Sequence, residues 1–129
     1  MKWILAFSLL LAAVPAAAAD LTIRTGETWL FAVKGGLPVG ARKVAANARP
    51  GKGQIKVSVK AMLGTAMFVT NNSPTAYTVR ASLVSGGKAT AARTCTFPAG
   101  GKPAFEQWPQ KAEAVRLTEF KAAGADGRC

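Results

Sequence analysis

A chain of 129 residues with a formal charge of +11, two cysteines and no histidine is bounded before any motif is sought. Its length suits one domain with one modest core rather than two. The missing histidine excludes histidine metal sites, serine–histidine catalysis and histidine acid–base chemistry.

Residues 1–19 read as a cleaved secretory signal peptide. Lys2 supplies a positive start, Ile4 to Val14 an apolar run broken by one serine, Pro15 its end, and Ala17-Ala18-Ala19 a small-x-small cleavage pattern. The apolar stretch from Trp3 to Ala19 is short of the ~20 residues a spanning helix needs. No cysteine follows the alanines, as a bacterial lipoprotein would require. The expected product is therefore a single domain over residues 20–129, exported through the inner membrane to the periplasm or beyond. Losing Lys2 with the leader lowers the charge from +11 to +10. The hydrophobic half of the composition is swollen by this leader and by alanines; no later segment is long or apolar enough to span a membrane.

After the leader the hydrophobic period is two. Leu21 to Arg24 and Thr28 to Val33 predict strands, the second apolar on both faces at Trp29-Leu30-Phe31. The segment from Lys34 to Gly53, KGGLPVGARKVAANARPGKG, is the least strand-like. It reads as a long basic loop with at most a short strand near Val44 to Ala46. Gln54 to Lys60 alternates cleanly, with Ile55, Val57 and Val59 on one face and lysines on the other. Ala66 to Thr70 and Ala76 to Val84 predict two more strands. The Asn71-Asn72-Ser73-Pro74 run between them is turn chemistry for a hairpin or a crossing between sheets.

Ser85-Gly86-Gly87-Lys88 makes another turn, and a strand from about Ala89 to Phe97 would carry Cys95. Residues 98–103 break it, and Ala104 to Trp108 and Ala114 to Phe120 give two last apolar segments. The stretch Ala112 to Ala123 also fits a helix, since alanine, glutamate and lysine favour one. The pattern predicts an all-β fold: a small, immunoglobulin-like antiparallel β-sandwich of about seven strands with one disulfide. In an oxidising compartment Cys95 and Cys129 are expected to form that bridge and pin the C-terminus. It would be worth roughly 3–4 kcal/mol by loop-closure entropy.

Chemistry is marked mainly by what is absent. Neither glycine-rich segment has phosphate-loop spacing, which excludes nucleotide binding of that kind. Met62 and Met67 without a histidine make a poor copper site, and Met67 reads as core filling; no cofactor or metal is expected. Glu106, beside Trp108, is the best placed acid, but alternation reads it as a glutamate on a solvent face whose aromatic neighbours pack inward. Phe68 and Phe105 are counted with Trp29, Phe31, Tyr77, Phe97 and Phe120 as core aromatics. The protein is therefore expected not to be an enzyme.

Charge distribution is the remaining signal. From Thr28 to Phe105 there is no acidic residue and there are eleven basic ones. Such a field attracts polyanions. The expected function is an exported, non-enzymatic binding module of the bacterial cell envelope. Its cationic surface, carried by Arg42, Lys43, Arg49, Lys52, Lys56 and Lys60, would associate with an anionic envelope lipid or glycan. The alternative is a periplasmic protein-interaction module, such as an accessory subunit, inhibitor or assembly factor, that meets a protein partner through a sheet edge or the Trp29 or Trp108 region.

Overall fold

A computed structural model describes residues 20–123. The leader 1–19, Cys129 and the tail before it, together with the expected bridge, lie outside the described residues. Within them the chain forms nine strands and no helix: β1 (Asp20–Arg24), β2 (Thr28–Lys34), β3 (Leu37–Val44), β4 (Gln54–Lys60), β5 (Thr65–Asn72), β6 (Tyr77–Ser85), β7 (Lys88–Ala92), β8 (Pro103–Trp108) and β9 (Ala114–Ala122). Two antiparallel sheets result, ordered β1-β9-β6-β7 and β3-β2-β4-β5-β8. None of the described residues forms a helix long and apolar enough to cross a membrane.

The sheets face each other across the side chains that alternation selects. Ile55, Val57 and Val59 of β4 are buried, as are Met67 and Val69 of β5, and they meet Ile23, Ala81, Leu83, Val115 and Leu117 from the other sheet. Apart from Ala81, each of these side chains contributes about 1.5–3 kcal/mol when fully buried. At one end Phe120 packs edge-on against Phe31, with ring centroids 5.5 Å apart, and against Phe97 and Tyr77 at 6.4 Å each.

Three expectations need correction. The strands number nine among the described residues, not about seven. Residues 37–44 of the supposed long loop are instead a full strand, β3, which folds back on β2 through Gly35 and Gly36 at φ 60° and 80°. Both values are positive, as a two-residue type I′ hairpin requires, and Lys34 faces Leu37 across it. The strand expected over Ala89 to Phe97 ends at Ala92, so Cys95 lies in a link and not in a strand. That link crosses between sheets and is held by other partners. The Trp108 indole donates to the Arg93 carbonyl at 2.8 Å and the Cys95 N–H donates to Glu106 at 2.9 Å. Tyr77 and Phe97 form an isolated bridge beyond it.

Of the strand and the helix that residues 112–123 both fitted, the strand holds, as β9. β9 is central, paired with β1 on one side and β6 on the other. Helix propensity differs by tenths of a kcal/mol per residue. Two ladders and the complete burial of Val115 and Leu117 outweigh it. Of the two readings of the Asn-Asn-Ser-Pro run, the crossing holds: β5 and β6 belong to different sheets. Its polar side chains serve the backbone, with the Asn71 amide donating to the Thr75 carbonyl at 2.7 Å and Ser73 bonding the same residue.

Candidate functional site

Strand register determines which basic residues share a surface. On the outer face of the five-stranded sheet, Arg42, Leu30, Lys56, Thr70 and Pro103 stand in one row across β3, β2, β4, β5 and β8. Val44, Thr28, Ser58, Phe68 and Phe105 form the next. Lys60, Ala66 and Gln107 follow. Directly paired residues lie close enough to interact, so the register builds one continuous surface of cations, hydroxyls and aromatic rings.

Residues 45–53 lie against this face. The Lys56 ammonium donates to the Ala46 carbonyl at 2.7 Å, and the Asn72 amide donates to the Pro50 carbonyl at 3.0 Å. Between this link and the sheet is an open groove of about 270 Å³, lined by Ala46, Lys56, Ser58, Lys60, Phe68 and Pro103 among others. An adjoining hollow, sharing Lys56 and Thr70, has Asn47, Arg49 and Asn72 on its walls. In the groove the Lys60 ammonium sits 5.3 Å from the centre of the Phe68 ring, within cation–π reach. Phe68 and Phe105 are 5.0 Å apart at 53°, and Phe105 is 51% exposed. Beneath them the Thr28 and Ser58 hydroxyls are hydrogen-bonded at 2.8 Å and buried.

The six basic residues expected to act together are only partly assembled. Lys56 and Lys60 line the groove, Arg42 continues the Lys56 row, and Arg49 lines the adjoining hollow. Lys43 lies instead on the face of Trp29, which packs against the core, and its ammonium is 3.5 Å from the Glu27 carboxylate. Lys52 is exposed in the link and lines neither hollow. Among the described residues the ion pairs are Lys43–Glu27 and Arg80–Glu119. The groove lysines belong to neither.

Phe68 and Phe105 correct the aromatic reading, since both stand on the outer face and not in the core. Glu106 is inverted for the same reason. β8 turns Phe105 outward and Glu106 toward the interior, where it is half-buried and accepts the Cys95 N–H. Hydrophobicity alone points a phenylalanine inward. Only the pairing of Phe68 with Ser58, a residue between two outward lysines, reveals the opposite.

Glu27 has the one pKa displacement resolved among the described groups. It is held below the ordinary carboxylate value by the Trp29 indole N–H first and the Arg24 backbone N–H next; burial opposes them, and the Lys43 charge and hydrogen bond add the smallest pulls downward. It clamps a turn rather than serving the groove. No three metal-ligating side chains converge among the described residues. Comparison with protein-family models, curated proteins and solved structures finds no match for this chain.

Proposed function

We propose that the protein is an exported, non-enzymatic binding module of the bacterial cell envelope, released by removal of residues 1–19. In this reading the sandwich is immunoglobulin-like, Cys95 is bridged to Cys129, and the outer-face groove holds an anionic envelope component. One observation supports it above the others: Lys56 and Lys60, outside the ion pairs of the described residues, share a groove with Ser58, Thr70 and the Phe68 ring, which packs against the exposed Phe105. Such a lining suits a phosphate or carboxylate carried on an amphipathic scaffold, a glycan or lipid headgroup, because the cations meet the charge and the rings meet its apolar faces.

The test is sedimentation of the processed protein with purified envelope fractions over a range of salt. Binding falls with salt as counterions are released. Arg42→Gln with Lys60→Gln weakens it, whereas Lys43→Gln with Lys52→Gln, which removes the same charge away from the groove, does so less. Equal loss from the two pairs makes the attraction a property of net charge and refutes the groove.

A protein-interaction module is the second reading, favoured by β7. This strand is exposed along most of its length and, among the described residues, pairs only with β6, which presents an edge for strand addition. The Trp29 and Trp108 regions support that reading less, since both indoles are engaged within the chain. Crosslinking that recovers one dominant protein, lost when a proline is placed in β7, would favour this reading over the groove.

A further inference from the structure

The link between β4 and β5, residues 61–64, carries two of the largest apolar exposures among the described residues. Leu63 is 89% exposed and Met62 43%. An isolated exposed leucine is ordinary; the backbone beneath this one is not. Leu63 sits at φ 47°, a left-handed conformation that side chains with a Cβ avoid. The conformation is enforced from below. The Gln107 amide donates to the carbonyls of Met62 at 2.9 Å and Leu63 at 3.2 Å. Gly64, at φ 110°, lies so close to the following link that a Cβ there would collide with the carbonyls of Trp108 and Pro109. The chain therefore holds a strained turn in place while leaving its apolar side chains in water.

The charges around this tip are complementary to one class of surface. Lys60 directly precedes it, and Lys111 belongs to the link that packs beneath it, where the Thr65 hydroxyl donates to the Gln110 carbonyl. The Lys111 carbonyl accepts the Ser85 hydroxyl at the end of β6, and Glu113, two residues further on, has its backbone bonded to Val84 and Thr25. A small apolar knob flanked by ammonium groups is the composition that partitions to an anionic bilayer, with apolar groups at the acyl boundary and lysines among the phosphates.

We infer that residues 61–64 are a lipid-inserting tip. Leu63 and Met62 enter the interface of an anionic phospholipid bilayer and Lys60 and Lys111 stand at headgroup level. The tip is at one end of the sandwich and the groove on a face, so this goes beyond the groove reading. Lys60 is common to both, and for that reason the test turns on Leu63, which lines no part of the groove.

The full chain is expressed in a bacterial host, and removal of its leader is verified by intact mass, since an uncleaved leader would bind lipid by itself. Flotation is measured at low ionic strength with vesicles of equal phosphatidylglycerol and phosphatidylcholine, and with phosphatidylcholine alone. The wild type floats with the anionic vesicles only. Leu63→Asn, whose side chain suits the left-handed turn, partitions at least about fivefold more weakly with no loss in denaturation midpoint. Leu63→Trp retains partition, and its emission shifts to the blue on binding. Absence of wild-type flotation, equal flotation of Leu63→Asn, or a tryptophan that does not shift would each overturn the tip. So would a Leu63→Asn variant that loses a crosslinked protein partner while floating normally. Failure of the groove reading is seen separately, in the paired glutamine variants with envelope fractions.

Discussion

The Trp29 indole donates to the Glu27 carboxylate at 2.9 Å, and the same oxygen accepts the Arg24 backbone N–H at 3.1 Å. One carboxylate thereby ties the β1–β2 turn to the start of β2, and Lys43 of the neighbouring strand approaches its other oxygen. These contacts depress its pKa below 4.5. A depressed carboxylate stabilises the fold above its unfolded pKa and loses that contribution as the pH falls through its folded value. Glu27→Gln should therefore lower the denaturation midpoint at neutral pH. Below the folded pKa it should match the wild type, so the two curves of midpoint against pH converge in acid. Because Glu27 lies at the surface end of a turn and its Lys43 partner is 60% exposed, the separation is small. A constant separation down to pH 2 would remove the carboxylate from this role.

Gly64 is the least replaceable glycine among those described. Its φ of 110° and the proximity of the Trp108 and Pro109 carbonyls leave no room for a methyl group, and the obstruction is backbone. Gly64→Ala should destabilise the protein by about 3 kcal/mol or more, combining a forbidden conformation with displacement of the β8–β9 link. Urea denaturation followed by tryptophan fluorescence reads this directly, because Trp108 lies beside the site.

The two glycine hairpins provide a controlled comparison. Gly36 and Gly87 share a φ of 80°, but a Cβ on Gly36 would lie 3.2 Å from the Phe120 carbonyl whereas one on Gly87 would meet open space. Gly87→Ala should cost about 1 kcal/mol from the backbone alone, and Gly36→Ala about 2 kcal/mol as the added contact disturbs β9. Gly86→Asn should be close to neutral, since asparagine tolerates this conformation. Equal costs for the two alanines would mean that the Gly36–Phe120 approach is unimportant to stability.

The same pair shows what the chain discloses before folding. Ser85-Gly86-Gly87-Lys88 was legible as a turn because alternating apolar residues precede it. Lys34-Gly35-Gly36-Leu37 has identical turn chemistry, yet β3 behind it is an edge strand, with Pro38 its one buried residue and a bulge against β2. β2 and not its own pattern holds it in the sheet. β4 was legible to its last residue, since one face is core and the other lysine. The groove was half legible: Lys56 and Lys60 follow from the period of β4, but setting Phe68 and Phe105 beside them depends on register across three strands. Register is a long-range property that local pattern does not carry. Lys43 failed for the same reason, its partner Trp29 being on the wrong face.

Phe105 and Arg42, which flank the groove on the two edge strands, should separate the two kinds of force at this face. An aromatic contact has no counterions to release, so Phe105→Ser should weaken binding to envelope fractions by about three- to tenfold while leaving the slope of log affinity against log salt unchanged. Half-exposed on β8, the ring can be replaced at little cost to folding. Arg42→Gln should instead reduce the slope by nearly 1 per lost phosphate contact at comparable loss of affinity. Both variants retain the other's interaction, so the double variant should combine the two losses, given that Arg42 and Phe105 stand on opposite edge strands of the sheet. If Phe105→Ser alters the salt slope, the ring orders the cations rather than touching the ligand. If it changes nothing, the ligand lies along the Arg42–Lys56 row and leaves the aromatic pair uncovered.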